Sequence, residues 1–474
     1  PASYAQMNIW LDERIRLINS SELLHTYNIG KIFKIDSGHL SINQCLRALN
    51  CIVDKHWIFR TRLKFDVKCG ILYQSIDQTI HYPVRVSTIK NDEQQKILLD
   101  KEMWTPFDTE HNGVFRCHFI RYDHGDNKDD LSIGDLLVFY FHHGSFDGRA
   151  IDIFLDEFKL AYKGVELQSP CLQYIDYSVH ERKLAMTEAR TYWHDLLQDY
   201  DWDRQLDLGQ TKKQISACRS GRGELLRFSI PSSIAHSMIY YINQFNVTLF
   251  QLGLTCYYIF LNQLSYHNRD VCIGLIHLNR YRPEIVSMIG MFANILPCRI
   301  VNIDLDKLSF IELLYKVQKS FLQNIQHTYL PYEELINLHR KPSSYLQFPY
   351  LQTLFSVDTT IIDYTNMDNI MVTDTCSLST YKRKEKDISI GYKFDLDFSF
   401  AYDKHAGSID CVWAYMSDVF QLETIEQHAN RFNQLLTQLF GSNHIEQLQI
   451  PLNEIIILDK NQTNNDNHVD KKHI

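Results

Sequence analysis

Apolar residues along the chain follow two periods. Leu136 to Phe141 (LLVFYF) is an unbroken apolar run and Val114 to Tyr122 (VFRCHFIRY) is strand-like, so both are expected as β-strands. Leu40, Leu46, Leu49 and Val53 instead recur at near-helical spacing, and Ile151 to Phe158 carries a second helical pattern. Helix and strand patterns thus interleave through the first third of the chain, which predicts an α/β (α+β) fold.

The pattern restarts after Gly221. Leu225 to Ile230 alternates apolar with polar, Ser232 is placed to cap a following helix, and Asp270 to Leu278 reads as a strand. Further on, Phe310 to Gln326 is expected as a helix, Gly391 to Tyr402 (GYKFDLDFSFAY) as a strand and Leu422 to Phe440 as an amphipathic helix. The most apolar long window, Phe245 to Leu264, contains Asn246, Thr248, Gln251, Thr255, Asn262 and Gln263, too much polarity for a membrane span, and is expected as a buried helix. Pro170 to His180 is the expected hinge. It divides the chain into lobes 1–174 and 175–458, with a boundary near residue 175. His124 to Ser132 (HGDNKDDLS) and Lys382 to Asp387 (KRKEKD) read as solvated loops, and 459–474 as a polar linker or tail. No internal repeat is evident.

The chain has 474 residues, enough for two large lobes, and ordinary apolar and charged fractions, which exclude a wholly disordered or coiled-coil protein. Its net charge of −9 disfavours a polyanion, so no nucleic-acid partner is expected. The 11 cysteines form no C-x-x-C pair and no zinc ladder, and fit free thiols in a reducing cytoplasm, with no metal site. The opening PASYAQMNIW has no basic segment ahead of an apolar one, so no secretory signal and no membrane association are expected, and a larger parent polypeptide is.

The sharpest chemical signal is Phe141 to Gly148, FHHGSFDG, lying between the strand Leu136 to Phe141 and the helical pattern that follows. Side chains alternate along an extended segment, so one of His142 and His143 faces a cleft while the other packs. An imidazole, with an ordinary pKa of about 6.5, can take a proton from an attacking amine or hydroxyl at neutral pH, as acyl transfer requires, and His143 is the candidate. Asp147 either orients that ring or turns away to a structural arginine; both histidines also have a plain structural reading. No G-x-S-x-G, Walker loop, H-E-x-x-H or G-x-G-x-x-G accompanies the motif, so hydrolase, nucleotide, zinc-protease and dinucleotide chemistries lack support and no bound cofactor is expected.

FHHGSFDG resembles the active-site motif of the condensation domains of nonribosomal peptide synthetases, and other segments resemble that family's motifs in the same order. Ser3 to Leu11 (SYAQMNIWL) looks like its first motif, and Lys55 to Leu63 (KHWIFRTRL) like its second, with His56, Arg60 and Thr61 matching. Tyr174 to Val179 (YIDYSV), Ile289 to Arg299 (IGMFANILPCR), His327 to Glu333 (HTYLPYE) and Pro349 to Val357 (PYLQTLFSV) continue the series, and the likeness runs to about residue 458. Asn8, Trp57, His180 and Tyr329 depart from the residues common there; Trp57 and Tyr329 are read as packing changes and His180, His327 and Cys298 as structural.

The resemblance implies a pseudo-dimer of two chloramphenicol acetyltransferase-like lobes around a central tunnel with His143 near its middle. It implies an amide-forming acyltransferase served by donor and acceptor peptidyl carrier proteins, whose phosphopantetheine arms deliver both substrates, with an adenylation domain adjacent in the same polypeptide. Within it, His143 is tied to catalysis as base or positioner and His142 is structural. Asp147 pairs with Arg280 of the second lobe, Gly148 is a turn glycine or admits the pantetheine arm, and Asn294 lies toward the tunnel wall. The rival readings are an epimerisation-type domain, a free-standing acyltransferase of the same superfamily, and a domain that binds carrier proteins without catalysis.

Overall fold

The computed structural model describes residues 1–19, 27–79, 81–123, 130–202, 206, 208, 222–265, 270–301, 303–339, 351–358, 365–367, 370–374, 390–391, 394–403, 407–442 and 444–455. The loop expected at 382–387, the tail 459–474 and, of the loop expected at His124 to Ser132, residues 124–129 lie outside the described residues; the end of that loop is corrected, because Asp130–Leu131 is a short strand paired with Leu40–Ser41 and Leu131 is buried.

Two mixed sheets organise the fold. The first has six strands in the order Thr365–Met367, Ile370–Asp374, Asn28–Ser37, Leu136–His142, Phe115–Tyr122 and Val84–Ile89. Leu136–His142 sits between two antiparallel partners and is buried on both faces, which is why its sequence is a continuous apolar run instead of an alternating one. On one face Phe139 and Phe141 meet Phe115, Phe154 and Phe158; on the other Leu136, Val138 and Tyr140 join Ile32, Ile89 and Ile120. The helix Gly148–Tyr162 buries Ala150, Ile151, Phe154, Phe158 and Tyr162 at spacings of three and four, and packs beside the helix Ile42–Lys55. Its N-terminus therefore follows directly from the end of the central strand.

The second sheet has seven strands in the order Asn294–Arg299, Cys272–His277, Thr353–Asp358, Leu396–Asp403, Ser408–Met416, Arg222–Ser229 and Ile390–Gly391. The helices Ser232–Phe245, Leu249–Leu264, Phe310–Asn324 and Leu422–Phe440 cover one of its faces, as seen in the packing of Phe355 on Phe250 and of Phe398 on Tyr257 and Phe432. The late strand Ile370–Asp374 leaves this half of the sequence to pair antiparallel with Asn28–Ser37 in the first sheet, so the two halves of the chain are interlaced.

Two further local expectations are corrected. Pro231, not Ser232, occupies the cap position of Ser232–Phe245, and no side chain caps that helix. The apolar window from Phe245 is split: Asn246 adopts φ 51° and ends one helix, and the next starts at Leu249, capped by Thr248 and Gln251 reciprocally. The expected hinge contains a helix, Tyr174–Glu181, whose Tyr174 and Tyr177 are buried against Phe292. Among the described residues no helix is long and apolar enough to cross a membrane.

Candidate active site

The motif turns off the central strand, and each of its residues is held differently. His142, the last strand residue, is buried, and its Nδ1 accepts from the Gly144 N–H at 3.2 Å. The ring proton is therefore on Nε2, which donates to Glu13 Oε1 at 3.1 Å. This histidine is fixed from both sides. His143 is half-buried; its N–H donates to the Tyr27 carbonyl at 2.8 Å and the Tyr27 ring meets its imidazole edge-on at 6.3 Å. Its Nδ1 lies 2.8 Å from the Phe146 carbonyl, an acceptor, so Nδ1 carries the proton and the lone pair is on Nε2.

Phe146 locks the turn into the core, with its ring 5.0 Å from both Phe59 and Phe141. Asp147, fully buried, is the joint between the lobes. Its Oδ1 accepts from the Ala150 N–H at 2.8 Å, capping the helix Gly148–Tyr162, and from Arg280 Nη2 at 2.9 Å. Its Oδ2 accepts from the Phe292 N–H at 2.9 Å. Arg280 in turn donates through Nη1 to the carbonyls of Ile285 at 2.7 Å and Met288 at 2.6 Å and lies over the Phe292 ring. Asn279, at φ 52°, makes the left-handed bend that precedes this arginine.

Tyr174 braces the same junction: its hydroxyl donates to the Met291 carbonyl at 2.6 Å and meets Ser3 Oγ at 2.8 Å, and burial first holds its pKa well above the usual phenol range. Nearby Glu181 is pushed up by burial although it accepts from the Tyr4 N–H and the Tyr177 hydroxyl, each at 2.9 Å. Gly290 faces the Tyr174 ring so closely that a Cβ would overlap it. Gly290→Ala is therefore expected to destabilise the protein by about 1–3 kcal/mol through overpacking, read as a lower urea midpoint at unchanged slope.

Other residues singled out from the sequence lie in supporting positions. Arg60 directs Nε, Nη1 and Nη2 to the carbonyls of Val53, Asp77 and Asp54 and so clamps the end of the helix Ile42–Lys55. Asn294 donates to the carbonyls of Thr328 and Leu330, both at 2.8 Å, and accepts from the Ile295 and Tyr332 N–H groups, which uses its whole amide on the main chain. Gly148 needs no left-handed backbone: it is the first helical residue, exposed, with nothing within 4 Å of where a Cβ would stand. Trp57 is 42% exposed, so the reading of it as buried packing is corrected to an aromatic on the surface. His180 is exposed, the His327 ring stacks on Tyr192, and burial pushes Cys298 up to about 12. Among the described residues no three His, Cys, Asp or Glu side chains converge as metal ligands do.

Sequence reasoning misses Glu13, the partner of His142 from 129 residues away, and Tyr174 as a brace, although the latter lies in a segment noted for its family likeness. Of the site's side-chain pairings it reaches only that of Asp147 with Arg280, and that through resemblance.

Compared with known families, residues 5–463 match the one described as Condensation domain. The chain is 26% identical over 416 residues to surfactin synthase subunit 2 of Bacillus subtilis (strain 168), a match covering 87% of this chain and 11% of the relative. It is 24% identical over 481 residues to tyrocidine synthase 2 of Brevibacillus parabrevis, covering 99% and 12%. The chain thus spans about a tenth of these relatives' length. Among solved structures it superposes on the X-domain from teicoplanin biosynthesis with a TM-score of 0.78 at 18% identity, covering 97% of each chain. The condensation domain from Monacolin K polyketide synthase superposes with a TM-score of 0.75 at 18% identity, covering 94% of this chain and 97% of that one.

Proposed function

Because the chain belongs to the condensation-domain family, we propose that it joins an acyl or peptidyl group, carried as a thioester on a donor carrier protein, to the amine of an aminoacyl group on an acceptor carrier protein. The amine nitrogen attacks the thioester carbonyl carbon. A C–N bond forms and the C–S bond breaks, and the proton lost by the amine passes through His143 to the departing thiolate. The product stays on the acceptor. Both substrates arrive on phosphopantetheine arms, and the chain's own residues bind, orient and move the proton.

The observation that supports this reading most directly is the hydrogen bond from His143 Nδ1 to the Phe146 carbonyl, which leaves Nε2 as the basic nitrogen. Asp147 plays no part in proton transfer here, because its acceptors are taken by Arg280, Ala150 and Phe292. Its role is to hold the motif turn against the second lobe. The lobes, 1–174 and 175–458, then form the two walls between which the arms meet, with carrier proteins as partners and an adenylation domain adjacent in the parent polypeptide, as the far longer synthase relatives suggest.

Intact-mass analysis of donor and acceptor carriers, loaded with a panel of aminoacyl groups and incubated with the domain, tests this. The acceptor is expected to gain the donor acyl mass. Carrier binding without transfer in any combination overturns the enzymatic reading and leaves a binding domain.

A further inference from the structure

The strand Leu396–Asp403 turns Leu396, Phe398 and Phe400 to the helical layer of the second lobe, where Phe398 lies 4.7 Å from Phe432. Alternation places Asp397, Ser399 and Ala401 on the opposite face. Register sets Asp397 between Leu354 and Ala414, Ser399 between Ser356 and Val412, and Ala401 between Asp358 and Asp410. The same face carries Asp358, on the strand Thr353–Asp358. The carboxyl of Asp152, on the helix that starts at Gly148, is raised chiefly by burial, and the charge of Asp358 is among those acting on it, with Arg149, Lys31 and Asp156.

Asp397 differs from the buried acids Asp147 and Glu181. Asp147 accepts three hydrogen bonds and Glu181 accepts two. Asp397 Oδ1 is shut off from solvent with no hydrogen-bond partner among the described residues, between apolar register neighbours, while the residue as a whole keeps a partial opening. Burial alone lifts its pKa to about 7. Arg227, on the same face, lies two strands away, opposite Val412, and does not offset that rise. A buried carboxyl without a partner works against folding, and a cationic group that binds it relieves that cost.

We propose that Asp397 is a specificity-determining residue that receives a cationic nitrogen, an amino or guanidino group on the side chain of an aminoacyl substrate brought to this face. Asp358, on the same face, and Asp152, on which its charge acts, carry charge of the sign that attracts such a group. The delivery of that substrate on a pantetheine arm rests on the function proposed above; the recognition rests on Asp397.

The test compares wild type with Asp397→Asn, which keeps shape and removes charge, and with Asp397→Glu, which keeps charge. The probes are lysyl- and norleucyl-pantetheine amides, whose binding is measured by calorimetry without turnover, and carriers loaded with the same two residues. Wild type is expected to bind the lysyl amide at least about tenfold more tightly than the norleucyl amide. Asp397→Asn is expected to lose that preference with norleucyl binding and melting temperature preserved, and Asp397→Glu to retain part of it. Equal binding of the two amides by wild type, or a preference that survives Asp397→Asn, overturns the proposal. Transfer that proceeds equally for lysyl and norleucyl carriers removes Asp397 from selection and leaves the amide-forming function standing; a lysyl preference in calorimetry without transfer from any carrier does the reverse.

Discussion

Replacing His143 by Ala is expected to lower acyl transfer between loaded carriers by about 100- to 10,000-fold, the range over which a positioned acid–base group contributes. The loss should appear in the rate and not in folding. His143 is half-buried on the turn, and the residues that anchor the turn are its neighbours: Phe146 in the aromatic core and Asp147 in the ion pair. Deleting the imidazole removes the hydrogen bond to the Phe146 carbonyl and leaves those anchors in place. Melting temperature and carrier binding should therefore stay close to wild type, and single-turnover transfer by quenched mass analysis isolates the chemical step. His142→Ala behaves differently: it strips partners from Glu13 and the Gly144 N–H, so its expected effect is on stability first. If His143→Ala transfers at the wild-type rate, the proton must leave by another route and the reading of Nε2 as base fails.

What the sequence makes legible follows from how far apart the interacting residues lie. Leu136 to Phe141 announces itself because a strand buried on both faces needs apolar side chains at every position. The helix Gly148–Tyr162 is equally plain, since its buried face repeats every three to four residues. The crossover strand Ile370–Asp374 is not, because its partner Asn28–Ser37 lies at the other end of the chain and nothing local specifies that pairing. The Phe245 window misleads because its mean apolarity runs on across the break: hydrophobicity is insensitive to a single left-handed residue, and Asn246 divides it. In the site, the motif locates His143, but the tautomer that makes it useful depends on a carbonyl three residues on and on a turn geometry that spacing alone does not give. Arg60 and Asn294 carry family likeness, and their polar atoms reach main-chain groups, which no side-chain pattern reveals. Asp397 is hidden in plain alternation, as one polar position among several on GYKFDLDFSFAY.

Asp147→Ala is expected to cost the largest stability of any single change at the site, about 3–5 kcal/mol for breaking a buried ion pair. One carboxylate serves three donors from different elements, so the substitution leaves three groups without it. The Arg280 guanidinium remains buried and charged, held by the Ile285 and Met288 carbonyls but deprived of its anion. The Phe292 N–H loses its acceptor, and the helix Gly148–Tyr162 loses its cap, itself a contribution of about 1 kcal/mol. These terms share one side chain and do not add. Chemical denaturation should show the fall as a lower midpoint, and comparison with two further variants separates its causes. Asp147→Asn keeps an amide oxygen for the cap and should recover part of the loss. Arg280→Met removes the charge and leaves Asp147 with two N–H donors, so the pair Asp147→Asn with Arg280→Met should lose less than the two single changes taken together. A double mutant as unstable as their sum would mean that the two residues act independently, and the contact between strand turn and second lobe would have to be held by the Tyr174 and Gly290 packing instead.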